Sequence, residues 1–147
     1  MTARMDASVR ELFSRYERSF EKALLGEEDM QEVASFYASA VIGASPAGVR
    51  ASENDDRMRQ VMEQGFAHYR AIGTQAMRIR EVRLSPIDDL HCIAHVAWTA
   101  TYARKGPPDI TIDFDVRYLV QVRDGAPRIF GWITGDEQAV LRGHGIV

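Results

Sequence analysis

Cysteine is nearly absent from this chain, since Cys92 is the only one among 147 residues. A lone thiol excludes an internal disulfide framework and any cysteine-based zinc site. A surplus of either charge is lacking too, with 18 Lys and Arg against 21 Asp and Glu and a formal net charge of -3. That balance gives no footprint for a nucleic-acid groove or a polybasic membrane anchor, and neither partner is expected. No apolar run approaches the roughly 20 residues that span a bilayer. The start MTARMDASVREL carries no apolar signal core. A soluble, cytoplasmic protein is the expectation.

The apolar fraction is 46%, enough for a substantial core in a chain of this length. One domain over 1–147 is expected, with 1–6 as a flexible tail. Its best-specified stretch is Ile110 to Thr134. Ile110, Ile112, Phe114, Val116, Tyr118, Val120 and Val122 alternate with mostly polar residues, the period of a half-buried strand. Asp124-Gly125 supplies a turn. On the return strand, simple alternation puts Phe130, Trp132 and Thr134 on one face and Ile129 and Ile133 on the other.

Helical spacing of Val9, Leu12, Phe13, Tyr16, Phe20 and Leu24 predicts an amphipathic first helix ending near Gly26. A second follows Asp29 as N-cap, with Met30, Val33, Ala34 and Tyr37 on one stripe. Ala40 to Ala44 reads as a short strand and Ser45 to Gly48 as a loop. A third helix starts around Ser52 to Asp55 and buries Met58, Val61, Met62, Gly65, Phe66, Tyr69 and Ile72. Extended chain from Thr74 needs a bulge near Arg80, because its apolar parity changes there. Ser85 to Leu90 turns into a strand over Cys92 to Ala103, and Gly106-Pro107-Pro108 turns into the hairpin. Asp136 to Arg142 forms a last helical turn. Three helices followed by long strands define an α+β class, a strongly curved antiparallel sheet wrapped around helices in a cone. The mouth of the cone is a natural small-molecule pocket.

Tyr16, Trp98, Tyr118 and Trp132 would supply apolar walls with polar tips suited to an amphiphilic ligand. Phe66, Tyr69, Phe114 and Phe130 extend those walls, while Ser45 and Thr134 add hydroxyls. His68 and Asp136 are the candidate bases, the alternatives being a flank position for His68 and a helix cap for Asp136. Asp113 and Asp115 lie roughly 7 Å apart along one strand face, and a charge array with Arg117 suits them better than a catalytic pair. His91 and His95 are separated by roughly 13 Å of strand, beyond joint coordination. No metal and no cofactor is expected. The outer face, with Ile93, Ala97, Leu119, Ile129 and Ile133 among Asp115 and Arg117, reads as an interface patch.

In that order the chain resembles the nuclear transport factor 2-like superfamily, particularly its ketosteroid isomerase and SnoaL-like polyketide cyclase branches. The resemblance rests on Leu12-Phe13-Ser14-Arg15-Tyr16, on Phe36-Tyr37-Ala38 leading to Pro46 and Gly48, and on Arg128-Ile129 in the last hairpin. It implies the cone fold and a homodimer through the outer sheet face. It also implies a pocket in which Tyr16 matches the isomerases' oxyanion-binding tyrosine and Tyr118 falls at the second donor position. Ser45 stands where the isomerases place a carboxylate base, and a serine does not replace it. The limonene-epoxide-hydrolase-like arrangement is absent, since Thr134 follows Trp132 where an acid would be needed. Three expectations follow. One is a small-molecule-binding domain with an apolar pocket. Another is a cofactor-free isomerase, cyclase or dehydratase with tyrosine donors and a relocated base, Asp136 or His68. The last is a noncatalytic dimerisation domain.

Overall fold

The computed structural model describes residues 2–103 and 108–147. The chain runs α1 (Ala3–Leu24), α2 (Met30–Ser35), β1 (Tyr37–Ser45), β2 (Gly48–Glu53), α3 (Asp56–Ala71), β3 (Thr74–Pro86), β4 (His91–Tyr102), β5 (Ile110–Arg123), β6 (Ala126–Ile133) and α4 (Glu137–Gly143). Six strands form one curved sheet in the order β2-β1-β6-β5-β4-β3. All neighbours are antiparallel except β1 and β6, which run parallel. The α+β class stands.

Helix starts follow capping chemistry. Thr2, Asp29, Asp55 and Asp136 each accept a backbone N–H of the first turn, filling donors the helix itself cannot satisfy. The start of α1 overturns the expected tail: residues 3–6 are helical and Met5 is buried. Tyr37 also leaves its expected place, because α2 stops at Ser35 and Tyr37 opens β1. The β2 strand is an addition. Its residues are all exposed and carry no apolar alternation, so an edge strand replaces what reads as loop and helix start.

Strand β4 buries Cys92, Ala94, Val96, Trp98, Ala100 and Tyr102, while the residues between them are half-buried. Facing them across β5 are Val120, Tyr118, Val116, Phe114, Ile112 and Ile110. Val9, Leu12 and Phe13 of α1 are buried in the same core. Burying each of these large apolar side chains contributes about 1.5–3 kcal/mol relative to exposure. The register of β3 on β4 shifts between Ile79 and Glu81, which is the bulge that the parity change requires. Asp124 and Gly125 turn β5 into β6 with φ of 53° and 75°, the two positive values of a tight hairpin turn. The turn expected at Gly106-Pro107-Pro108 falls largely on residues 104–107, outside the described residues.

The return strand holds the main correction. Leu119 pairs with Gly131 but Val120 pairs with Ile129, so Phe130 is an extra, unpaired residue. One inserted residue reverses parity on the far side of it. Ile129 therefore points into the core and is fully buried, whereas Ile133 is half-exposed on the outer face. Phe130 leaves the pocket side and meets the His91 ring, at a centroid separation of 6.1 Å.

Candidate functional site

Helix α3 delivers a second surprise that leads to the site. Of its expected inner stripe only Met58 is buried, and Val61 is 59% exposed. Met62, Gly65, Phe66 and Tyr69 instead line a cavity of about 570 Å³ between α1, α3, α4 and the sheet. They resemble a core stripe because they face apolar walls, yet space lies in front of them. Cavities of this size suit small organic molecules.

Nine of the expected site residues line it: Tyr16, Phe66, Tyr69, Trp98, Phe114, Tyr118, Trp132, Thr134 and Asp136. Three do not. Ser45 ends β1, exposed, accepting the Ala47 N–H at 3.2 Å. His68 is exposed on α3 and outside the lining. Phe130 is removed by the bulge.

The deep part of the cavity is a phenol cluster. The Tyr16 and Tyr37 hydroxyls are 3.0 Å apart, either able to donate. Phe13 supports the cluster from below, with ring centroids 6.0 Å from Tyr16 and 5.0 Å from Tyr118. Burial pushes all three phenol pKa values up from 10.0, those of Tyr37 and Tyr118 strongly. For Tyr16, hydrogen bonding from Tyr37 and Tyr118 opposes that rise. Only one of the two protons of the Tyr16–Tyr37 pair is used between them, so the pair keeps a donor for a further oxygen.

Trp98 stands beside them, 1% exposed, its ring stacked on Phe114 at 10° and 6.4 Å. Its Nε1–H favours the Tyr118 phenolate, yet it makes no hydrogen bond of normal geometry. A buried donor without a partner costs about 1–3 kcal/mol. Trp132 crosses the cavity from β6 against Tyr37, with centroids 5.7 Å apart. Gly43 on β1 makes room for it, since a Cβ there would meet the Trp132 Nε1 at 2.8 Å.

The rim is acidic. Asp136 Oδ1 accepts the Ala139 N–H at 2.9 Å, so its carboxylate is engaged in capping α4. The next residue, Glu137, lines the cavity and accepts a hydrogen bond from the Tyr69 hydroxyl at 2.7 Å. Burial first, then Glu137, pushes the Tyr69 pKa well up. Tyr102, also lining, is pushed up to about 12 by burial and by Glu137. Tyr37 and Glu137 are the contributors that sequence reasoning missed. The capping rule held the signal for Glu137, because a capping aspartate turns back on its helix and leaves the next acid free.

The phenols set an alkaline limit. Each has a folded pKa above its ordinary value of 10.0, so the stability it contributes is complete below pH 10. It is lost as the pH rises through the range where the unfolded chain ionises first. The melting temperature should fall from about pH 10 upward, and less steeply in Tyr37→Phe. A flat profile to about pH 12 would contradict the burial of the cluster.

On the outer face Asp113 accepts from Thr99 at 2.6 Å and lies 3.7 Å from Arg80, so its ionic partner is Arg80 rather than Arg117. Asp115 and Arg117 are exposed and also border the cavity. His91 and His95 bond to separate partners, Asp88 with Gln121 and Ser85. Among the described residues no group of three His, Cys, Asp or Glu is placed to hold a metal. No helix among them is long and apolar enough to cross a membrane.

A cone of this kind, with its cavity between the first helix and the inner sheet face, defines the nuclear transport factor 2-like class. The chain belongs to the family described as NTF2-like protein (DUF6841), whose model matches residues 6–137. Solved structures agree on the fold. An NTF2-like protein with a cystatin-like fold from Novosphingobium aromaticivorans superposes with a TM-score of 0.69 at 10% identity, covering 97% of this chain and 88% of that one. Aln2 from a Streptomyces species gives 0.67 at 15% identity, covering 97% and 98%. A putative calcium/calmodulin dependent protein kinase II association domain from Xanthomonas campestris gives 0.60 at 18%, covering 86% and 84%. No curated protein matches.

Proposed function

We propose that this protein binds an amphiphilic small molecule of roughly steroid or polyketide size, with an acceptor oxygen seated on the Tyr16 phenol cluster. The observation that supports this is the pairing of an open apolar cavity with the Tyr16 and Tyr37 hydroxyls in its lining, which share one proton between them and keep a second to donate. A phenol donor in an apolar cavity calls for an acceptor oxygen, and a carbonyl or phenol supplies one. Proton-transfer chemistry has less support, since Asp136 is engaged in capping and His68 lies outside the lining.

A rigid hydroxybiphenyl is a simple probe of both requirements. It should raise the melting temperature, and the rise should continue with the logarithm of its concentration above Kd. Tyr16→Phe should weaken binding about tenfold, or about 1.4 kcal/mol. No thermal shift with hydroxybiphenyl or with polycyclic ketones would remove the reading.

The outer face supports a second, independent proposal, a twofold homodimer. Ile129 is withdrawn from the expected patch, leaving Ile93, Ala97, Leu119 and Ile133 beside Asp115 and Arg117. Ile42, 48% exposed, pairs with Gly131 in the adjoining strand. Such a contiguous apolar area favours a self-complementary interface. Light scattering should give twice the chain mass at micromolar concentration, and Ile133→Asp should shift it toward the monomer; a wild-type monomer would refute this.

A further inference from the structure

We infer that the ligand is two-ended, carrying a hydrogen-bond donor, most favourably an ammonium group, at the rim opposite its buried acceptor oxygen. This rests on the binding reading above and specifies the chemistry of the ligand's other end. The cavity is polarised from floor to rim. Its floor presents the Tyr16, Tyr37 and Tyr118 hydroxyls, with no carboxylate among them. Its rim, at the start of α4, presents the two acids Asp136 and Glu137.

Glu137 is the rim group prepared for a ligand. Its Oε1 accepts from Tyr69, which fixes the carboxylate over the cavity, and its Oε2 has no hydrogen-bond partner among the described residues. A carboxylate held by one bond and open at its second oxygen accepts from an ammonium or hydroxyl without rearranging. An acid-ended molecule would bring its own anion against Glu137 and Asp136, where the like charges repel. The cavity therefore selects by repulsion at one end as well as by attraction.

The probes are three rigid hydroxybiphenyls: unsubstituted, bearing an aminomethyl group at the opposite end, and bearing a carboxylate there. Calorimetric titration of the full chain should show the aminomethyl compound binding about tenfold or more tighter than the carboxylate compound. In Glu137→Gln, a change at an exposed position, that ratio should collapse toward one. Equal binding of the two, tighter binding of the acid, or a ratio unchanged in Glu137→Gln overturns the inference. If the unsubstituted compound binds while the ratio is flat, only the two-ended ligand is refuted. If none of the three binds, the binding reading falls and the inference falls with it.

Discussion

Phe13→Ala is expected to cost about 3–5 kcal/mol of unfolding free energy, enough to consume much of the stability of a domain this size. Phe13 is fully buried and lies under both Tyr16 and Tyr118. Truncation removes its transfer free energy and leaves a hole that packed neighbours fill only in part. Phe20, two turns on along α1, is the informative control. It contacts Phe66, Tyr69 and Trp98 but lines the cavity and is only partly buried. Phe20→Ala enlarges an existing space, so urea denaturation should show a clearly smaller loss. Equal losses at the two positions would mean that the cavity is closed and Phe20 is ordinary core.

Ile129→Asp should be more damaging still, costing more than about 4 kcal/mol and leaving little folded protein. Ile133→Asp, four residues along the same strand, should change stability by no more than about 0.5 kcal/mol in the isolated chain. The difference follows from the bulge at Phe130, which turns Ile129 into the core and leaves Ile133 half-exposed. Without that bulge the two would share a face. Similar melting temperatures for the two variants, measured at a concentration that keeps the chain monomeric, would contradict the register of β6 on β5.

These two positions also show what the amino-acid sequence can and cannot convey. The alternation of β5 is legible because polar residues mark its outer face at Thr111, Asp113, Asp115 and Arg117. The stretch Ile129-Phe130-Gly131-Trp132-Ile133 has no polar residue, so a one-residue change of parity leaves no trace in polarity. In β3 the comparable bulge is legible, because Ile79 and Val82 fall out of step. Strand β2 leaves no pattern at all, since an exposed edge has no face to bury. The α3 stripe is legible as a stripe, but apolar side chains around a ligand cavity and in a packed core follow the same helical period. Distinguishing them takes the space itself. At the rim, Asp136 draws attention as the acid nearest the hairpin, whereas its capping bond leaves Glu137 as the group over the cavity.

Binding of an acceptor oxygen by the phenol cluster is the claim on which the functional account turns. A crystal structure of the protein with the unsubstituted hydroxybiphenyl tests it directly. The ligand oxygen is expected within about 2.5–3.0 Å of the Tyr16 hydroxyl, with its rings between Phe66, Trp98 and Trp132. A ligand seated on the outer sheet face, or a cavity filled by the protein's own side chains, would contradict it.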